Sequence, residues 1–205
     1  LSTATMTKLP ELEERRLTGS EAFHRAGNPQ NISVLDFWKW SASNLAANNL
    51  RGHLAEFLVA SDLGVADGTR WEWSDCDIWT PNEYRIEVKS ASYIQQWEQA
   101  THSKISFGIA PAYGWDYDAQ RRTKKKQRNS DAYVFCVIET KDQSKFDPLD
   151  LVQWMFYVVA TKEIDAELGA QKTLSLSGVE ALQHIKCRHG EIAKSLRKVL
   201  KVKCL

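Results

Sequence analysis

The chain has 205 residues, of which 43% are hydrophobic and 26% are charged, and its formal net charge is +1. This length suits a single domain with a sizeable core, and the charge balance excludes a bulk polycation. The longest apolar stretches, residues 132–138 and 154–160, are far too short to cross a membrane. The four cysteines have no paired spacing, which favours free thiols in a reducing cytoplasm over disulfides or a zinc site.

The first part of the chain predicts a polar segment followed by two helices. We expect residues 1–30 to be loosely ordered and residues 31–205 to form one domain. A helix is predicted from its N-cap, Ser33, to about Ala46. A second helix is predicted over residues 48–64, where Gly64 ends an amphipathic pattern. The apolar stripe of that helix consists of Leu50, Leu54, Phe57 and Leu58.

A strand near residues 69–73 is expected to precede a β-hairpin. The hairpin is predicted from residues 77–80 and 84–89, separated by the three-residue loop Pro81-Asn82-Glu83. This register places Asp77 directly across from Glu87. Because side chains alternate between the two faces of a strand, the apolar residues can be buried while the acids and a lysine share the other face. That polar face consists of Asp77, Trp79, Arg85, Glu87 and Lys89.

A second Glu-x-Lys sequence, Glu139-Thr140-Lys141, follows Asp131 by eight residues. The apolar run between Asp131 and Glu139 contains no turn residue, so both acids are predicted to lie on one extended strand. At about 3.3 Å per residue they would be roughly 26 Å apart, too far to share a metal. Only the first Glu-x-Lys sequence is predicted to fold back on an acid.

The remainder of the chain predicts further strands and helices. Strands are expected over residues 104–110, 132–138 and 154–159, and Thr161 is expected to cap a helix that runs toward Leu168. Residues 177–202 are predicted to be mostly helical, with an interruption at Gly190. Helices that lead into paired strands and then into further strands and helices indicate an α/β protein with a mixed central sheet.

Asp77-Ile78, the short turn and Ile86-Glu87-Val88-Lys89-Ser90 resemble the active-site hairpin of the PD-(D/E)XK nuclease superfamily. That superfamily includes many restriction endonucleases and archaeal Holliday-junction resolvases. The resemblance covers roughly residues 48–92, although the chain lacks the proline before Asp77 that gives the superfamily its name. It implies a restriction-endonuclease-like, three-layer α/β/α fold with a mixed central sheet.

The resemblance also implies catalysis that depends on Mg²⁺, with Mn²⁺ as the alternative ion. The carboxylates of Asp77 and Glu87 would bind the metal, with the Val88 carbonyl as a third protein ligand. The metal would polarise the scissile phosphate and lower the pKa of the attacking water. Lys89 would orient that water or stabilise the charge that builds on the phosphorane.

Three further residues near the hairpin have open roles. Glu56 would hold a second metal or a metal-bound water, although a helix glutamate is commonly only solvated. Gly52 lies on the same helical face as Glu56 and would let a phosphate backbone approach closely. Asp75 is an alternative metal ligand, but Asp77 is favoured because it lies across from Glu87.

Six of the eight residues in 121–128 are basic. The run is either a solvated surface or a surface that contacts nucleic-acid phosphates without reading sequence. Its basic residues are Arg121, Arg122, Lys124, Lys125, Lys126 and Arg128. Tyr113, Trp115 and Tyr117, which precede the run, would stack on bases or pack in the protein.

Taken together, the residues and the resemblance predict a divalent-metal-dependent endonuclease that hydrolyses DNA. A restriction-type enzyme is the first choice, and a structure-specific repair or junction nuclease is the second. An RNA substrate and a homodimer remain open, and no membrane partner is expected. The alternative from another class is a catalytically silent nuclease-fold module that binds nucleic acid or a partner protein.

Overall fold

A computed structural model describes residues 9, 12–72, 74–116 and 121–205. In chain order the strands are β1 (Ala22–Arg25), β2 (Asn28–Ser33), β3 (Ile78–Trp79), β4 (Arg85–Ser92), β5 (Ser106–Gly108), β6 (Ala112–Asp116), β7 (Arg121–Gln127), β8 (Ala132–Ile138), β9 (Trp154–Ala160), β10 (Thr173–Ser175) and β11 (His184–Cys187). The helices are α1 (Val34–Ala42), α2 (Asn48–Leu63), α3 (Thr161–Leu168), α4 (Leu176–Ala181) and α5 (Ile192–Leu200).

The centre of the fold is a five-stranded sheet with the order β11-β9-β8-β4-β3. Strands β4 and β8 are parallel, and the other neighbouring pairs are antiparallel. Three two-stranded sheets accompany it: β1 with β2, β5 with β10, and β6 with β7. The predicted mixed α/β class is therefore confirmed.

Apolar layers cover both faces of the central sheet. On one face, Ile86 and Val88 of β4 pack in a core that includes α2 and α5. On the other face, Tyr133, Phe135 and neighbouring residues pack with side chains of α3, α4 and the β5–β10 pair. Every residue of β8 and β9 is buried. Burial on both faces explains why these two strands are continuous apolar runs rather than alternating ones.

The predicted start of α1 and the predicted end of α2 are confirmed, whereas α1 ends at Ala42 and not near Ala46. Ser33 and Asp36 form a reciprocal capping box at the start of α1. Gly64 has a φ of 72° and donates its backbone N–H to carbonyls of the last turn of α2. A left-handed residue at this position ends a helix, and glycine adopts that conformation without a Cβ penalty.

Several predicted elements differ from the structure. Residues 177–202 contain two helices as predicted, but the interruption is longer than Gly190 alone, because β11 lies between α4 and α5 and pairs with β9. The N-cap of α3 is Ala160, and Thr161 is its first helical residue. Residues 69–72 are not in a strand, and Trp73 lies outside the described residues. In the described part of the chain, no helix is both long and apolar enough to span a bilayer.

The N-terminal segment that was expected to be loosely ordered contains β1 and the beginning of β2. Their hairpin continues directly into α1, whose first amide groups donate to the carbonyls of Gly19 and Glu21. None of the residues of α1 is buried.

Candidate active site

The hairpin that carries the candidate acids has the predicted register. Ile78 pairs with Ile86, and Trp79 pairs with Arg85. The Thr80 amide donates to the Tyr84 carbonyl at 2.9 Å, which closes a three-residue loop. Glu83, the last loop residue, has a φ of 63°. A left-handed third residue is common in loops of this length, because it returns the chain to the second strand.

Asp77 immediately precedes β3 and lies next to the second hairpin strand. Its carboxylate oxygen Oδ2 accepts a hydrogen bond from the Val88 backbone N–H at 2.7 Å. Burial of the carboxyl group and the negative charge of Glu87 raise the pKa of Asp77 to about 6, although Lys89 opposes this shift. The structure therefore brings Asp77 together with Glu87 and Lys89.

Lys89 forms an ion pair with Glu87, with 2.5 Å between Nζ and Oε1. Both side chains are partly buried and lie on the face of β4 opposite to Ile86 and Val88. Burial lowers the pKa of Lys89, but the carboxylates of Glu87 and Asp77 raise it more, so its net pKa is above the ordinary value. Lys89 is thus a cation beside two acids.

Glu56 lies on α2 near this cluster, but its carboxylate is already paired with an arginine. Arg70 donates its Nε to Glu56 Oε2 at 2.5 Å and its Nη2 to Oε1 at 3.2 Å. The charge of Glu56 still contributes to raising the pKa of Asp77. Arg70 could not be found from the sequence as the partner of Glu56, because it lies fourteen residues away in an irregular segment and leaves no periodic signal.

Asp75, the alternative ligand, is partly buried two residues before Asp77. Its carboxylate oxygen Oδ1 is buried and has no hydrogen-bond partner in the structure. A buried carboxylate oxygen usually has a donor or a cation beside it. Both Asp75 and Asp77 therefore remain candidates for holding a cation.

The donor set fits a hard divalent ion, because it consists of carboxylate and carbonyl oxygens. Glu87 and Asp77 are close in space, and Asp75 offers a buried oxygen without a donor. Across the residues that the structure describes, no group of three or more His, Cys, Asp or Glu side chains is arranged as a metal site. Two carboxylates and a carbonyl are nevertheless enough for Mg²⁺, which keeps several waters.

A cavity of about 270 Å³ opens beside Asp77, between α2 and the segment that precedes β3. Its polar lining includes the charged residues Glu56, Arg70 and Asp77, together with His53, Thr69 and Ser74. Phe57, Trp71 and Trp79 contribute aromatic side chains to its wall. No sequence pattern indicates this cavity, because the walls of the cavity come from three separate segments.

Residues 121–127 of the basic run form strand β7, which pairs with β6. The side chains of Arg121, Arg122, Lys124, Lys125 and Lys126 are exposed. Arg122 and Lys126 lie over the ring of Tyr113, at 4.6 and 5.2 Å from its centroid. Trp115 is exposed on β6, and Tyr117 lies outside the described residues. The hairpin thus presents five exposed cations, two of which lie over an exposed aromatic ring.

Arg128 differs from the rest of the run, because its guanidinium group is buried. It donates to the carbonyls of Ile109, Gly169 and Gln171 at 2.8–2.9 Å. Its Nη1 also forms an ion pair with Asp165 at 2.5 Å. These contacts use the donors that a phosphate would need, so the structure assigns Arg128 to holding β7 against the body of the protein.

The second Glu-x-Lys sequence is separated from its upstream acid, as expected. Asp131 and Glu139 flank β8 at opposite ends. Asp131 accepts from the Arg85 amide at 2.8 Å, whereas Glu139 pairs with Lys186 and Arg188. Neither acid belongs to the cluster around Asp77.

Gly52 lies on the first half of α2, one turn before Glu56. A Cβ atom built at Gly52 would have no neighbour within 4 Å. Packing in the protein therefore does not require glycine at this position, and the surface above it is open.

A family model described as bacteriophage T4 endonuclease IV matches residues 33–178. This range covers most of the chain and includes Glu56, Asp77, Glu87, Lys89 and residues 121–128. No curated protein and no solved structure matches the chain. The chain belongs to the bacteriophage T4 endonuclease IV family and is a nuclease.

Proposed function

We propose that the protein is a divalent-metal-dependent DNA endonuclease of the PD-(D/E)XK type with a restriction-endonuclease-like fold. The observation that carries this proposal is the convergence of Asp77, Glu87 and Lys89 on one predicted hairpin. Membership of an endonuclease family supports the same reaction class. Burying two acids and a lysine beside each other costs stability, and clusters of ionisable groups with perturbed pKa values are common at active sites.

Asp77, Glu87 and the Val88 carbonyl would hold Mg²⁺, or Mn²⁺ in its place. When bound, the ion supplies charge that polarises the scissile phosphate and favours deprotonation of the attacking water. The amide of Val88 fixes Asp77 Oδ2 at 2.7 Å, so this carboxylate is oriented before an ion arrives. Asp75 is the alternative ligand, because its buried Oδ1 has no donor.

Lys89 would donate to the attacking water or to a phosphate oxygen. Its net raised pKa keeps the ammonium group charged at neutral pH, so it acts as a donor and not as a base. Its Nζ is held by Glu87, and a donor that is already oriented needs little reorganisation in the transition state.

Glu56 is available to a second ion only if Arg70 leaves it. The bidentate pair neutralises Glu56 in this structure. The hydrogen bond that Arg70 donates to Glu56 raises the pKa of Arg70 most, burial opposes this shift, and the nearby charge of Asp77 adds to it. A released Arg70 could therefore contact the substrate phosphate beside Asp77.

The strand β7 would contact DNA through phosphates. Its five exposed cations lie on a protein whose net charge is only +1, so the positive potential is local. Gly52 would allow a phosphate backbone to approach α2. Restriction-type cleavage is the first choice and structure-specific cleavage is the second. RNA is a further candidate substrate. A homodimer is one candidate assembly.

We place this activity in the cytoplasm. The four cysteines are free, and Cys76, Cys136 and Cys187 are buried as thiols. A reducing compartment suits such thiols.

The experiment is to incubate the protein with supercoiled plasmid, branched DNA and RNA, with Mg²⁺, Mn²⁺ or a chelator. We expect cleavage of DNA that requires the divalent ion. Glu87→Gln should lose both cleavage and Mg²⁺ affinity, because it removes the charge of a metal ligand. Binding of DNA without cleavage under every condition would instead support the silent binding module.

A further inference from the structure

The cavity beside Asp77 has aromatic walls that face solvent. Phe57 and Trp71 are each 55% exposed, and Trp79 is 37% exposed. Large aromatic side chains are usually buried, and a cluster of exposed ones around a concavity indicates a binding surface. The volume of about 270 Å³ is at the small end of ligand pockets, so it suits one ring system.

Hydrogen bonds hold both indole rings in place. Trp71 donates its Nε1 to Glu14 Oε1 at 2.7 Å, and Trp79 donates its Nε1 to Ser74 Oγ at 3.1 Å. These bonds satisfy the polar edge of each ring and leave its faces for contact. A fixed aromatic face loses little conformational entropy when it stacks on a ligand.

The charges near the cavity disfavour an anion inside it. Asp77 is an acid, and the charge of Arg70 is already used by Glu56. The ligand should therefore be neutral and planar, and it should be attached to a phosphate that binds at Asp77. In a nucleotide, only the sugar separates the phosphate from such a ring.

From these contacts we infer that the cavity binds one nucleobase of the substrate, taken out of its stack and placed against Trp71 and Phe57 next to the scissile phosphate. This inference rests on the proposed nuclease function, because the phosphate at Asp77 positions the base. The site would contribute to substrate choice through stacking, which every base can provide.

The test is a comparison of two fluorescein-labelled oligonucleotides of about twelve residues. One carries ordinary bases, and the other has a tetrahydrofuran residue in place of every nucleotide's sugar and base, so that the charges are equal. Affinities are measured with Ca²⁺, which takes the same kind of oxygen ligand as Mg²⁺. Stacking on aromatic side chains should make the wild-type protein bind the oligonucleotide with bases about 5- to 150-fold more tightly than the oligonucleotide without bases.

The variants Trp71→Ala and Phe57→Ala should each reduce this preference, and the double variant should reduce it by at least about 5-fold. Trp71→Phe keeps an aromatic face and should retain most of the preference. Trp40→Ala is the matched control, because Trp40 is exposed on α1 and does not line the cavity. Phe57 makes no side-chain hydrogen bond, so Phe57→Ala gives a second answer if Trp71→Ala disturbs the fold.

An equal preference for bases in the wild type and the double variant would overturn the inference, and so would absence of binding to both oligonucleotides. Base-dependent binding through the cavity without cleavage of any substrate would contradict only the proposed function. Cleavage without any contribution from the cavity would contradict only the inference.

Discussion

The backbone N–H of Val88 donates to Asp77 Oδ2 at 2.7 Å, which ties the residue that precedes β3 to the middle of β4. A bond between the side chain of one strand and the amide of the next fixes the carboxylate in position. Residues 87, 88 and 89 consequently present an acid, a carbonyl and a cation beside a second acid. This relationship makes the hairpin a candidate catalytic site and not only a polar sheet edge.

The stability of the metal-free protein should depend on pH through Asp77. Burial and the charge of Glu87 raise the pKa of Asp77 to about 6 in the folded state, above its ordinary value of 3.8. Between these values the folded protein holds a proton that the unfolded chain releases. The free energy of unfolding should therefore decrease as the pH rises from about 4 to about 6, by up to about 3 kcal/mol.

Urea unfolding of the wild type and Asp77→Asn in EDTA, between about pH 4 and pH 7.5, measures this effect. The variant should lose this part of the pH dependence and should be the more stable protein near neutral pH. Parallel pH profiles for the two proteins would show that Asp77 is not perturbed. Added Mg²⁺ should stabilise the wild type more strongly above pH 6 than below it, because the ion competes with the proton.

Gly52→Ala should change stability and DNA affinity in opposite directions. The space above Gly52 is open, so alanine should fit and should stabilise the helix by about 0.5–1 kcal/mol. If a phosphate backbone approaches there, the added methyl group should weaken DNA binding. Thermal melting and fluorescence anisotropy measure the two effects, and a more stable variant with unchanged affinity would remove Gly52 from the binding surface.

Replacing Lys124, Lys125 and Lys126 of β7 by alanine should weaken DNA binding for all sequences alike. Each lost phosphate contact should reduce the slope of log K against log salt by about 0.9. The matched control is Lys194, Lys198 and Lys203 replaced together by alanine, which removes the same charge from other exposed positions. Equal slopes for the two triple variants would mean that β7 contributes only general charge.

Glu83→Gly should stabilise the protein by about 1 kcal/mol, because Glu83 adopts a φ of 63° in the hairpin loop. Gly64→Ala is the opposite change at a φ of 72° with no close neighbour, and it should destabilise the protein by a similar amount. Melting temperatures of both variants measure these effects. A lower melting temperature for Glu83→Gly would contradict the left-handed loop on which the hairpin register depends.

Local sequence patterns predicted the hairpin, because the loop length and the alternation of faces determine which residues pair. They also predicted α2, since Gly64 and the apolar pattern are local signals, but Phe57 of the predicted stripe is exposed and Ala55 and Val59 are buried instead. They failed for residues 184–187, where pairing of β11 with distant β9 overrides the helical pattern. The burial of Arg128 could not be predicted from a basic run either, because its acceptors come from residues 109, 165, 169 and 171.

The candidate site was partly predictable for the same reason. Asp77, Glu87 and Lys89 are local to one hairpin, and the structure brings them together. The pairing of Glu56 with Arg70 and the aromatic cavity depend on how α2 packs against an irregular segment. No periodic pattern encodes that packing, so only the structure reveals it.

Lys89 is proposed to act in phosphodiester hydrolysis, and single-turnover cleavage by the wild type and Lys89→Ala measures whether it does. Loss of a preorganised donor to developing charge typically costs about 10²- to 10³-fold in rate. We therefore expect Lys89→Ala to cleave DNA at least about 100-fold more slowly, with nearly unchanged DNA affinity and melting temperature. Equal cleavage rates for the two proteins would contradict the role of Lys89.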